Sequence, residues 1–316
     1  MAWSNTFLSS QEISDKAANR PILLAKNALT TTGGSLEWNK NTGVFSETEY
    51  PDPLYPSNRA LDGYAHLPAK PLQAAVNVWY LLMRADTSIA FDSMVILGHN
   101  FGDCAAAGVN VSLQIADDAA FSSNLETLTA SNVTTNRRHV ALSLDHDGSV
   151  SLADITITQK RYTGVAYVRL RLASVNFSNF SSAPQIGEVI LAKRWQLYQK
   201  PDEPWDDLQF RSSVSDAESK SGVITRYVRH AGRRVLSAGF TFATETHAAQ
   251  LRNAYIEAAY GTKPIVWIDN PASTYPTQAA LYGYLQPDLS IPYQGPYERT
   301  AQVEFTEVAP FYWTEE

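Results

Sequence analysis

Residues 93–98 read Ser-Met-Val-Ile-Leu-Gly, and residues 109–115 read Val-Asn-Val-Ser-Leu-Gln-Ile. The two stretches demand different surroundings. Successive side chains of an extended chain point to opposite faces, so the second stretch puts Val109, Val111, Leu113 and Ile115 on one face and Asn110, Ser112 and Gln114 on the other. That is a strand with one buried face. The first stretch is apolar on both faces, which fits a strand covered on both sides.

Similar signals spread outward from this pair. Val168, Leu170 and Leu172 share one face and Arg169 and Arg171 the other. Ile155 and Ile157 alternate with threonines, Val76, Val78 and Tyr80 alternate with Asn77 and Trp79, and Ile186 to Leu191 is another apolar run. Upstream, residues 1 to about 70 are rich in turn residues, with short strands expected at Pro21 to Lys26 and Leu36 to Trp38. Several short strands separated by turn clusters, without alternating helices, read as a β-sandwich. Gln199-Lys200-Pro201-Asp202-Glu203-Pro204 then breaks the pattern, so a linker is expected at 199–208, between domains at 1–198 and 209–316.

In the second domain, strands are expected at Val223 to Arg229 and Arg234 to Ala243, joined by a hairpin turn at His230-Ala231-Gly232-Arg233. One helix is expected at 247–260. Leu251, Tyr255 and Ala258 form its apolar stripe, Thr246 is its N-cap, and Gly261 stops it. Further strands are expected at Pro264 to Asp269, Leu281 to Leu285 and Ala301 to Val308, completing a β-sandwich or barrel with one packed helix.

Composition narrows the function. The formal net charge of −7 argues against gripping nucleic-acid phosphates, which takes a basic excess. The single cysteine, Cys104, excludes an internal disulfide. No apolar run approaches the ~20 residues that span a bilayer, so membrane insertion is not expected. The start Met1-Ala2-Trp3-Ser4 has no signal-peptide pattern, which points to synthesis in a cytoplasm. Nucleophile elbows, phosphate-binding loops and zinc or calcium spacings are absent from the sequence, and neither a cofactor, a metal nor an enzymatic activity is expected. Asp145-His146-Asp147-Gly148 has the composition of a hairpin turn.

Two resemblances refine this reading. Asn58-Arg59-Ala60-Leu61-Asp62-Gly63, Val95-Ile96-Leu97-Gly98-His99-Asn100-Phe101 and Val111 to Asp118, followed by the pair Val168 to Leu172 and Ile186 to Leu191, resemble discoidin-like (galactose-binding-type) jelly-roll sandwiches over residues 50 to 197. Arg234 to Phe242, Gly261 to Asp269, Ala280 to Leu285 and Val303 to Val308 resemble the tail-tube-like domain of bacteriophage distal tail and tail-tip proteins. The second resemblance implies a virion structural protein of the baseplate, assembled in the host cytoplasm. It would form a homo-oligomeric ring, hexameric or alternatively trimeric, that contacts tail-tube, tape-measure and hub proteins. DNA would be only transient cargo, and an acidic lumen would let it slide. The first resemblance implies the alternative, a carbohydrate- or receptor-binding tail protein, with Tyr50, Tyr55, Tyr64 and His66 as glycan-contact residues.

Overall fold

In a computed structural model of the chain the strands pair into three sheets, and all pairings among the described residues are antiparallel. The structure describes residues 2–17, 20–31, 35–40, 42–45, 52–62, 68–72, 76–101, 109–127, 131–133, 142–145, 160–174, 183–202, 206–218, 224–269, 280–295 and 298–308. Cys104, residues 146–148 and the strand expected at 155–157 lie outside them. The first sheet has the order β3 (Ser35–Lys40), β4 (Val78–Phe91), β10 (Lys160–Ala173), β6 (Val109–Ala116), β7 (Glu126–Thr127). β1 (Ser4–Phe7) joins it along β10, and β8 (Ser131–Val133) along β6. The second sheet has three strands, β11 (Glu188–Ala192), β5 (Ser93–Leu97) and β9 (Leu142–Asp145). The third runs β12 (Arg194–Gln196), β2 (Ile22–Leu24), β15 (Ile265–Ile268), β16 (Ala280–Leu285), β17 (Arg299–Glu307), β14 (Ile224–Phe242), β13 (Asp206–Glu218).

Period-two alternation assigns the faces. The first two sheets close on one core that takes Trp38, Trp79, Leu81, Leu113 and Leu170 from one side and Met94, Ile96, Val189 and Leu191 from the other. This is an antiparallel sandwich, as expected. The alternate residues of the three-stranded sheet, Val95, Leu97, Ile190 and Ala192, turn the opposite way. They form a second core with Ile22, Leu24, Val266, Ile268 and Tyr282 of the third sheet. The third sheet's other face, with Leu23, Trp267, Phe240 and Phe305, packs on Leu251, Ala254 and Tyr255 of a helix. The layers are therefore sheet, sheet, sheet, helix. The double-sided run at 93–98 is explained by this stacking, since β5 and β11 each have apolar neighbours above and below.

Two strands cross the expected domain boundary. β2, in the N-terminal arm, lies between β12 and β15 of the third sheet, and Arg194–Gln196 forms an edge strand of the same sheet. The third sheet thus draws on both sides of the segment 199–208. The chain enters the sandwich at β1, leaves through α1 (Ser10–Ala17) for β2, and returns at β3. Polar staples secure this lacing. Asp92 is fully buried and accepts bonds from the Arg194 backbone N–H (2.9 Å) and Arg161 Nε (2.8 Å). Arg161 also donates to Glu12 of α1 (3.1 Å). Asn27 imitates a strand partner of β11, accepting from the Leu191 N–H (3.2 Å) and donating to the Val189 carbonyl (2.7 Å).

Three C-terminal expectations need correction. The helix, α2, lies earlier, at Glu245–Glu257 rather than 247–260, and Thr244 rather than Thr246 caps it by accepting the His247 N–H (3.3 Å). Gly261 is not the stop: the helix ends at its C-cap Ala258, Ala259 and Tyr260 already take positive φ (+49° and +59°), and Gly261 follows at φ +78°, where a Cβ would lie 2.6 Å from the Leu285 carbonyl oxygen. His230 to Arg233 is not a turn. β14 runs through it as one strand of 19 residues, and the pairing with β13 shifts between Arg211↔Arg233 and Ser213↔His230. Glycine suits a bulge as well as a turn, so Gly232 signals the irregularity but not its type.

Leu97→Ala removes side-chain volume from the core shared by the sandwich and the third sheet. Urea unfolding followed by tryptophan fluorescence is expected to show a loss of about 2–5 kcal/mol, with the transition remaining single. A fragment comprising residues 199–316 lacks β2 and β12. Circular dichroism and amide proton dispersion are expected to show it unfolded, whereas an autonomous C-terminal domain would fold.

Candidate functional site

Of the four residues expected to contact glycan, Tyr50, Tyr64 and His66 lie outside the described residues, so their convergence is not on view. Tyr55 sits at the end of a tight turn. The Asp52 carboxylate accepts the Leu54 N–H (3.0 Å), and the Asp52 carbonyl accepts the Tyr55 N–H (2.8 Å). The Tyr55 carbonyl accepts from Lys70, whose neighbour Ala69 bridges to Ile186 of the sandwich. The half-buried Tyr55 ring carries two cations, with Lys70 Nζ 5.4 Å and Arg59 Cζ 5.7 Å from its centroid. The ring attracts these cations through its quadrupole, and a sugar seeking to stack there would compete with them.

A second charged feature lies at the far side of the third sheet. β14 pairs with β17 only from Val235↔Thr306 to Phe242↔Arg299. From Ile224 to Arg234, its only partner among the described residues is β13. Among the described residues, a two-stranded ribbon therefore continues past the end of β17. At its root Arg234 and Glu307 form a buried ion pair. Arg234 Nε donates to both Glu307 oxygens at 3.0 Å, the Arg234 backbone N–H adds a bond of 3.2 Å, and the guanidinium NH2 meets Oε1. The two residues are 6% and 2% exposed. Charge-assisted bonds in this multidentate geometry fix orientation as well as attraction, so the pair sets where the ribbon leaves the sheet.

The third feature is a recess of about 200 Å³ at the seam between sandwich and third sheet. Lys26, Asp62 and Lys263 stand at its exposed rim, while Glu188 and Tyr282 are buried. Burial, aided by nearby Glu188, Tyr284 and Asp62, pushes the Tyr282 hydroxyl far above its ordinary value, so it stays protonated. Asp62 belongs to the motif at 58–63, but nothing in the sequence connects it to Glu188, Lys26, Lys263 or Tyr282. Glu188 carried a usable signal, a lone carboxylate within an otherwise apolar strand. Among the described residues, no three His, Cys, Asp or Glu side chains gather as a metal site, and no helix is long and apolar enough to cross a membrane.

No family model matches the chain, and no curated protein matches it. Solved structures do. A family 32 carbohydrate-binding module from Clostridium perfringens NanJ, in complex with galactose, is 9% identical with a TM-score of 0.35, covering 52% of this chain and 97% of its own. The module CpGH89CBM32-6, produced by Clostridium perfringens, is 14% identical with a TM-score of 0.31, covering 53% and 99%. A chitosan-binding module from a Paenibacillus chitosanase/glucanase is 11% identical with a TM-score of 0.33, covering 52% and 98%.

The ribbon root is open to direct test. Glu307→Ala leaves the Arg234 guanidinium buried without its carboxylate, and denaturant titration is expected to register a loss of about 3–5 kcal/mol. Replacing both residues by methionine is expected to restore most of that stability, because no charge is then stranded.

Proposed function

We propose that this chain is a structural assembly protein that joins copies of itself through its C-terminal sheet. The tail tip of a long-tailed bacteriophage is the setting that the resemblance of residues 205 to 310 implies. One observation carries the reading, the ribbon of β13 and β14. An isolated two-stranded hairpin is marginal in water. A strand at a sheet edge also presents unpaired N–H and C=O groups that template pairing with another chain. β13 is such an edge, 13 residues long, with β14 as its only partner among the described residues. Copies that pair head to tail along such edges form a ring when the rotation closes. A hexamer is favoured and a trimer is the alternative. Tail-tube, tape-measure and hub proteins are the further partners this role requires, with DNA passing only as cargo. On this reading the protein supplies surfaces and no chemistry.

A second reading, carbohydrate or receptor binding through the sandwich, is supported by the seam recess, whose walls offer both donors and acceptors to a small polar ligand.

Replacing residues 213–230 with an Asn-Gly turn keeps the pairs from Gln209↔Val235 to Arg211↔Arg233 and removes the rest of the ribbon. Light scattering coupled to size-exclusion chromatography is expected to find the wild-type chain as a closed oligomer and this variant as a folded monomer. A wild-type chain that stays monomeric at every accessible concentration contradicts the assembly role.

A further inference from the structure

The outer face of the first sheet, turned away from the sandwich core, carries an arginine pair that assembly through the ribbon does not use. Period-two alternation puts Arg169 and Arg171 of β10 on that face. Arg169 lies opposite Leu82 of β4 and Gln114 of β6, and Arg171 lies opposite Tyr80 and Ser112. Arg169 is only 8% exposed. Its guanidinium sits between two rings, with Cζ 4.3 Å from the Phe121 centroid and 4.8 Å from that of Tyr80. Nε donates to Gln114 Oε1 (2.6 Å), and Nη1 donates to the carbonyls of Gly43 (2.7 Å) and Thr42 (3.4 Å). These bonds leave the two N–H groups of Nη2 without an acceptor among the described residues. Half-buried Arg171 donates to no described residue, and the Tyr80 hydroxyl has no partner among them. We propose that Arg169, Arg171 and Tyr80 bind a phosphate group on the outer face of the first sheet.

The charge balance points to an anion. Buried cations are as a rule paired with an acid. In the two cross-strand rows that hold these arginines the one carboxylate is Glu37 of β3, two strands from Arg169, and it pairs with neither of them. Asp118, near Phe121, is engaged by the Ser122 N–H (2.9 Å) and hydroxyl (2.7 Å). Burial depresses the Arg169 pKa, Tyr80 opposes that, and the like charge of Arg171 reinforces it. An anion lying between the two guanidinium groups relieves both the burial penalty and the repulsion. Tyr80 marks the place, since its ring flanks Arg169 and its backbone pairs with Arg171. The ligand class follows from the donors. A tetrahedral phosphate presents oxygens in several directions, so it takes the Arg171 fork, Arg169 Nη2 and the tyrosyl hydroxyl together. A carboxylate has two oxygens in one plane and serves fewer of them. A cation is repelled by both arginines.

Calorimetric titration of the full chain at fixed ionic strength tests this, with inorganic phosphate and glycerol 3-phosphate as ligands and acetate as the planar control. The first two distinguish a free ion from a phosphate ester as the source. At least one of them is expected to bind about tenfold more tightly than acetate. Arg171→Gln is expected to weaken that binding about tenfold, the loss of charge-assisted hydrogen bonds, and Tyr80→Phe a few-fold. Arg171 makes no hydrogen bond to the described residues, so its variant should keep the wild-type melting temperature in phosphate-free buffer. Added phosphate should then raise the melting temperature of the wild-type chain and not that of Arg171→Gln. Lys263→Ala, which removes an exposed cation elsewhere, should bind as the wild type does. Absence of phosphate binding, or binding unchanged in Arg171→Gln, overturns the site. An equal loss in Lys263→Ala reduces the effect to general charge and overturns it too. Acetate binding as tight as phosphate overturns the ligand class.

Discussion

A three-stranded sheet with two apolar faces has to be covered twice, and the rest of the structure follows from that requirement. Met94, Ile96, Val189 and Leu191 close the sandwich core, while Val95, Leu97, Ile190 and Ala192 need a second cover. Fully burying a Val, Leu or Ile side chain is worth about 1.5–3 kcal/mol, so Val95, Leu97 and Ile190 left in water would be a severe liability. The third sheet provides the cover through Ile22, Leu24, Val266, Ile268 and Tyr282, and turns its own far face to α2. The sandwich and the C-terminal sheet thus share a core in addition to the one that each closes for itself.

That sharing has mechanical consequences. β2 is an inner strand of the third sheet although it precedes nearly all of the sandwich in sequence, and the buried Asp92 ties β10 to β12 while its partner Arg161 reaches on to Glu12 of α1. A load applied at the ribbon of β13 and β14 passes through β17, β16 and β15 to β2, and from there across the shared core. The assembly role proposed above would gain from this arrangement, because a sandwich fixed to the sheet would be held at one orientation around a ring. The Arg234–Glu307 pair has the same logic on a smaller scale, fixing the ribbon's departure where β17 ends.

Much of this was legible in the residues, and the gaps have physical causes. The alternation at 109–115 and 168–172 locates β6 and β10 and the faces they turn to the sandwich core, but not that the polar side of β6 is buried too, nor that β4 turns Trp79, Leu81 and Met83 rather than Val78 and Tyr80 to that core. The double-sided run at 93–98 required two covers, although nothing in it could say what the second cover was. Membership of a sheet is a long-range property, so a three-residue strand such as Ile22–Leu24 carries no mark of its partners. Gly232 read as a turn because turns and bulges draw on the same backbone freedom. Glu307 was readable in hindsight. It continues the inward positions Ala301, Val303 and Phe305, where a carboxylate must have a buried partner, and Arg234 occupies the matching inward position before Leu236. The seam recess was not readable, since its walls come from parts of the sequence more than 200 residues apart, from Leu24 to Tyr282.

Differential scanning calorimetry of the full chain tests the shared core most directly. The account predicts one cooperative endotherm whose calorimetric and van't Hoff enthalpies agree, because each β-unit loses the shared core without the other. Two separable endotherms, one for the sandwich and one for the C-terminal sheet, would contradict it.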